Sequence, residues 1–162
     1  MDKIDRIISQ WNRERPDLDV NPMSLIGRVK RIAQHFAHGM DKTFAAHNLN
    51  SASFDVLATL RRSGAPYALS PGDLLATMMV TSGTMTNRVD QLVKTGLVER
   101  KHNPEDGRSV IISLSQKGLA VIDVAVNEHV QTQARLVASL TDEEHLVLNG
   151  LLSKLLVDFE GN

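Results

Sequence analysis

Apolar positions along the chain switch between helical and strand spacing. In the first segment, Met1 to Glu14, the residues Ile4, Ile7, Ile8 and Trp11 fall at i, i+3, i+4 and i+7, which predicts an amphipathic helix. Pro16 and Asp17-Leu18-Asp19-Val20-Asn21-Pro22 read as a linker. A long helix is expected from about Met23 to His47, with Leu25, Ile26, Val29, Ile32, Ala33, Phe36 and Met40 on its apolar face. Asn50 or Ser51 can cap a third helix that ends near Ser63-Gly64. Pro66 breaks the chain, and Tyr67-Ala68-Leu69 is a short extended piece. Ser70 followed by Pro71 reads as an N-cap with proline at the first helical position, opening a short helix to about Met78.

Met79-Val80-Thr81 is expected to form a turn, with Thr81 capping a helix that runs to about Thr95 and stops at Gly96. Leu97 to His102 reads as a strand, Asn103-Pro104-Glu105-Asp106-Gly107 as a turn, and Ser109 to Leu114 as the returning strand. Two long helices close the pattern, from about Ser115 to Ser139 and from Thr141 to Phe159. Thr141-Asp142-Glu143-Glu144 has the form of a capping box. In the last helix Val147, Leu148, Leu151, Leu152, Leu155, Leu156 and Phe159 make a stripe wide enough to face both the chain's own core and a second chain. The alternative is that it covers only its own core.

Composition narrows the class. Among 162 residues, 42% are apolar and 23% charged, as in ordinary globular proteins. No apolar run approaches the ~20 residues of a membrane span. The opening Met1-Asp2-Lys3-Ile4-Asp5-Arg6 lacks the apolar core of a signal peptide, so a cytoplasmic location without membrane contact is expected. The absence of cysteine excludes disulfides, thiol sensing and cysteine nucleophiles. The net charge of −1 does not advertise a nucleic-acid binder. Between Thr81 and Arg108, five basic residues (Arg88, Lys94, Arg100, Lys101, Arg108) face four acids (Asp90, Glu99, Glu105, Asp106), a local excess of one.

A short helix, a tight turn, a second helix and a two-stranded hairpin together form a winged helix-turn-helix. The major groove admits one helix, and short polar side chains allow its backbone to approach base edges. The helix from Thr81 to Lys94 suits that role. Thr81, Ser82, Gly83, Thr84, Thr86 and Asn87 are small and polar, Gln91 can contact adenine in bidentate fashion, and Lys94 can reach phosphate. Met85, Val89, Leu92 and Val93 remain for the core side. At the hairpin tip Arg108 can reach a minor groove or phosphate, and Asp106 can hold its guanidinium through a charge-assisted pair. An ordinary surface helix and a solvated turn are the alternatives, and the hairpin following the helix argues against them.

Asp106-Gly107-Arg108-Ser109-Val110-Ile111-Ile112-Ser113-Leu114-Ser115 resembles the wing signature of the MarR family, D-x-R-S-x-x-I-x-L-S/T. The helix order and the Gly96-Leu97-Val98 break are also similar, and the resemblance runs from about Met23 onward. It implies a mostly α, α+β winged-helix homodimer whose first and last helices interlock. It further implies binding to palindromic promoter DNA, and release by a small aromatic anion. A narrower resemblance is to the urate-responsive branch, which carries an additional N-terminal helix and four marker residues. Trp11, Asp55, Arg88 and Arg100 stand in the same order here, with 33 residues from Asp55 to Arg88 and 12 from Arg88 to Arg100. Phe54 to Gly64 looks similar to that branch's marker helix. By this resemblance tryptophan would stack on the planar purine and the arginines would engage its charge. Asp55 would pair with Arg88 in the free protein and be displaced by the ligand. Another aromatic anion, such as a phenolic acid or salicylate, is the alternative effector.

The expected organisation is a single chain unit, 1–162. Residues 1–20 form the extra helix and linker, 21–50 and 115–162 the dimerisation helices, and 51–114 the DNA-binding domain. Expected partners are double-stranded DNA, a second copy of the chain and a small aromatic anionic effector, with no cofactor or metal. An enzyme acting on an aromatic acid is disfavoured, because no phosphate loop, metal set or nucleophile–base pair is evident. A winged helix used only for protein contacts is disfavoured by the small polar face and Arg108. His35 and His38 lie one turn apart without the partners of a zinc set, so the six histidines are expected to be solvated or partly buried.

Overall fold

The computed structural model describes residues 1–78 and 82–161, with the side chains of residues 82–84 outside that description. It has seven helices and three strands among the described residues, in the order α1 (Lys3–Glu14), α2 (Asn21–Ala46), α3 (Ser51–Arg62), β1 (Ala68–Leu69), α4 (Pro71–Thr77), α5 (Ser82–Lys94), β2 (Val98–His102), β3 (Val110–Leu114), α6 (Gln116–Leu136) and α7 (Asp142–Glu160). The chain divides into two compact units, Met1–Gly39 and Met40–Asn162, with the break inside α2.

Local chemistry explains most of the helix ends. Asn50 caps α3, its side chain accepting from Ser53 N at 2.8 Å. Ser70 caps α4 with Pro71 at its first position. Thr141 and Glu144 form the expected capping box on α7. A second capping box, Asp2 with Asp5, opens α1 and escaped the sequence reading. Gly96 ends α5 with a φ of 73°, a conformation that costs glycine little. The cap expected at Thr81 lies outside the described residues.

In the first unit α1 packs onto α2 through Ile4, whose side chain lies against Gly27. In the second unit the sheet has the order β1-β3-β2, all antiparallel. The register pairs Arg100 with Ile112 and His102 with Val110. Helix α3 is the hub. Its Val56, Leu57 and Leu60 are fully buried with Leu74, Val89 and Ile122, and α3 packs against α4, α5, α6 and β3. Phe44, Phe54 and His129 form an aromatic cluster, with Phe44 stacked on Phe54 at 4.5 Å and His129 4.7 Å from Phe54 between ring centroids.

Two expectations about apolar faces are corrected. Val93 was assigned to the core side of its helix, but it lies on the outer side while Met85, Val89 and Leu92 are buried at i, i+4 and i+7. The closing helix covers no core of its own. No residue of α7 is buried, and Leu151, Leu152, Leu155 and Leu156 all stay open to solvent. No helix among the described residues is long and apolar enough to cross a membrane.

Candidate nucleic-acid interface and effector residues

Helix α5 is set by its buried stripe, so its opposite side faces outward. Thr86, Asn87, Gln91 and Lys94 are all exposed. Asn87, Gln91 and Lys94 lie at i, i+4 and i+7 and share one face. Thr81 lies outside the described residues, as do the side chains of Ser82 and Thr84, although Ser82 and Thr84 belong to α5. Gln91 also borders a cleft of about 450 Å³ with Asn48, Asn50, Ser53, Thr95 and Lys117.

The hairpin tip is built by short polar side chains. Asn103 N donates to Ser109 O at 2.8 Å and closes the loop. The carboxylate of Asp106 accepts from the backbone N of Arg108 at 3.1 Å, while its carbonyl accepts from Ser109 N at 3.0 Å. The expected Asp106–Arg108 guanidinium pair is therefore corrected. Asp106 holds the backbone of the turn, and the exposed Arg108 side chain has no ion-pair partner among the described residues.

Of the four effector markers, Asp55, Arg88 and Arg100 belong to the second unit, on α3, α5 and β2, and Trp11 to the first, on α1. Trp11 is 40% exposed. The expected Asp55–Arg88 pair does not form. No ion pair or hydrogen bond joins them, and the Nη1 of Arg88 is buried without a hydrogen-bond partner. Arg100 is bound instead, its Nη1 donating to Asp90 Oδ1 on α5. Asp90 is thus a residue the sequence reading missed, joining α5 to the first wing strand, β2. A buried guanidinium nitrogen with no acceptor costs desolvation free energy that an anionic ligand would recover.

Other positioning residues were also missed. Arg62 Nη2 donates to Thr77 O at 2.6 Å and to Thr59 Oγ1 at 3.1 Å, tying the end of α3 to the end of α4. Arg61 Nε donates to Asp123 Oδ1 at 2.6 Å, and its guanidinium lies 5.0 Å from the Tyr67 ring centroid, so β1 and α6 are both held to α3. Asp123 raises the Arg61 pKa through that bond. Ser115 Oγ donates to Gly96 O at 2.6 Å and caps α6 at the same time. These arginines sit in a helix's last turn, where the dipole alone is enough to explain them, so the sequence carried no signal of their partners. Among the described residues no group of three His, Asp or Glu side chains could hold a metal ion.

A helix with an exposed polar face, braced by a preceding short helix and followed by a hairpin tipped with arginine, is a winged helix-turn-helix. The MarR family model matches residues 49–110, a span that covers α3 to the start of β3. The HTH-type transcriptional regulator PecS of Dickeya dadantii (strain 3937) is 39% identical over 153 residues, covering 94% of this chain and 92% of PecS. The chain belongs to the MarR family and is a DNA-binding transcriptional regulator. A solved structure of a mutant MarR from E. coli complexed with operator DNA has a TM-score of 0.70 at 26% identity, covering 90% of this chain and 97% of that one. A structure of Bordetella bronchiseptica BpsR, described as a mechanism for regulation of its DNA binding by 6-hydroxynicotinic acid, has a TM-score of 0.70 at 25% identity, covering 80% and 90%.

Proposed function

We propose that the protein is a homodimeric repressor of palindromic promoter DNA, released by urate or a closely related purine. The observation that carries the effector reading is the buried, unpartnered Nη1 of Arg88 on α5. An aromatic anion would supply the missing acceptor from the ring side, while Arg100 would exchange Asp90 for the ligand's charge. Asp55, half-buried on α3, faces desolvation and repulsion when the anion binds. Since Arg88 belongs to the recognition helix, a ligand that reorders its guanidinium changes that helix's presentation to DNA. A tenfold loss of DNA affinity needs only about 1.4 kcal/mol of coupling.

The dimer rests on α7. Its Leu and Val side chains are 43–72% exposed, so each would gain a corresponding part of the ~1.5–3 kcal/mol that full burial of an exposed side chain supplies. Two-fold symmetry then places recognition helices in half-sites about one helical turn apart, roughly 10 base pairs. Thr81, Ser82, Thr84, Thr86, Asn87 and Gln91 would read bases, and Lys94 and Arg108 would meet backbone or minor groove. A footprint of the protein's own promoter should show dyad symmetry, and its affinity should fall steeply with salt.

The effector test is DNA binding against increasing urate for the parent and Arg88→Gln. Urate should release the parent, and the variant should need more of it while still binding DNA. A parent complex that survives millimolar urate removes this ligand. The second reading, a different aromatic anion, is favoured by the BpsR ligand, a nitrogen heterocycle carrying a carboxylic acid. Titrating 6-hydroxynicotinate and salicylate in parallel separates the two.

A further inference from the structure

The first unit holds a basic groove that neither DNA reading by α5 nor the effector residues use. On α1, Lys3 and Arg6 are three residues apart and so share a face. On α2, Arg28, Arg31 and His35 follow at i, i+3 and i+7, again on one face. These two rows line one groove of about 520 Å³, with Ile32 contributing apolar surface.

What matters is where the acids have gone. Arg28 Nε donates to Asp2 Oδ2 at 2.8 Å, and its Nη2 donates to Asp5 Oδ1. The same two carboxylates accept the capping N–H groups of α1, Asp2 from Ile4 and Asp5, and Asp5 from Asp2. Those bonds and the Arg28 guanidinium hold both carboxyls below the usual carboxylate range, so they stay ionised and stay committed. Elsewhere in the unit, Glu14 is taken by Arg13 and Asp17 by Arg15, while Asp19 accepts from the backbone N of Asn21 and does not line the groove. Lys3, Arg6 and Arg31 are left exposed, and none of them has an ion-pair partner among the described residues. Against these three cations, Asp2 and Asp5 exceed Arg28 by one negative charge, so the groove, which Asp2 also lines, keeps a net positive charge of two and raises the local concentration of anions. Arginine forks match phosphate oxygens in bidentate fashion. A single carboxylate would match only half of that surplus, whereas two linked phosphates supply the charge and the oxygen acceptors for all three cations.

We propose that this groove binds a pair of linked phosphates, with Lys3, Arg6 and Arg31 as the direct ligands and Arg28 fixing the two helices that carry them. The phosphates can come from a free organic diphosphate or from consecutive positions on a DNA backbone. Both sources present phosphate oxygens to the groove, on adjacent phosphorus atoms in the diphosphate and on either side of a sugar in DNA.

Inorganic pyrophosphate is the probe, titrated calorimetrically into the full chain and into the double variant Arg6→Gln/Arg31→Gln, both exposed positions. Arg13→Gln, which removes a positive charge outside the groove, is the control. Pyrophosphate should bind the parent and the control alike, and the double variant at least tenfold more weakly. Operator affinity measured across a salt series identifies the source. If DNA phosphates occupy the groove, the slope of log K against log salt falls by nearly two per protomer in the double variant. An unchanged slope with lost pyrophosphate binding assigns a free diphosphate. Lys3→Gln alone gives the same pair of readings in milder form should the double variant fold poorly. The proposal is overturned if pyrophosphate binds the parent no better than sodium chloride at matched ionic strength and the salt slope of every groove variant equals that of the control.

Discussion

Helices α3 and α7 are built from similar apolar side chains and meet opposite fates. In α3, Phe54, Val56, Leu57, Thr59 and Leu60 are buried among α4, α5, α6 and β3. In α7 nothing is buried, although it carries more leucines. Helical periodicity therefore says which side of a helix is apolar, and only the number of elements around it says whether that side has been satisfied. The region around α3 is self-sufficient. Helix α7 instead offers an apolar surface far larger than an isolated chain would leave in water.

The sharpest way to break this contrast is Leu152→Glu on α7. In the proposed dimer it places an unpaired charge in an apolar interface, which costs about 3–5 kcal/mol per buried site. Sedimentation equilibrium should show dissociation at micromolar concentration, with the circular dichroism of the winged domain retained. A dimer that persists would mean α7 is not where the chains meet.

Gly118→Ala attacks the other region. A Cβ at position 118 would lie 1.9 Å from the Leu97 carbonyl oxygen, so α6 must back away from the α5–β2 junction. Overpacking against backbone costs about 1–3 kcal/mol or more. Chemical denaturation should give that loss independently of protein concentration, unlike the first substitution. A smaller change is expected of Arg62→Ala, which removes the bond to Thr77 O at an exposed side chain. About 0.5–1.5 kcal/mol of stability should go, together with some operator affinity, since α4 leads into the recognition helix. Unaltered operator binding at equal folded fraction would confine Arg62 to stability.

Much of this was legible beforehand because the signals were local. Caps at Asn50, Ser70 and Thr141, the Gly96 stop and the turn residues between the two wing strands each depend on a few adjacent residues. The outward face of α5 followed from the buried Met85, Val89 and Leu92. Side-chain partners were not legible, because they depend on three-dimensional distance. Asp90 rather than Asp55 takes an arginine, Asp106 bonds backbone instead of guanidinium, and Arg61 reaches a residue 62 positions away. Gly118 carries no local signal that sets it apart from other helical glycines, because the Leu97 carbonyl against it comes from 21 residues earlier. His129 is a similar case, a histidine whose aromatic setting no spacing rule announces.

That histidine supplies the smallest effect and a pH dependence. The Nδ1 of His129 is buried without a hydrogen-bond partner, and the ring stacks on Phe44 at 5.1 Å between centroids. Burial pushes its pKa below the ordinary value of 6.5, because the charged form loses water and gains no acceptor. In the unfolded chain the imidazole takes a proton as pH falls through 6.5, whereas in the folded chain it resists until a lower pH. Between those two values the unfolded state binds more protons, so stability present at neutral pH is lost as pH falls. Below the folded value the loss levels off. His129→Gln should flatten this part of the stability curve between pH 7.5 and 5.5. Melting curves at fixed ionic strength across that range would show it. An equal acid slope in parent and His129→Gln would place the titration elsewhere and leave the aromatic cluster with a packing role alone.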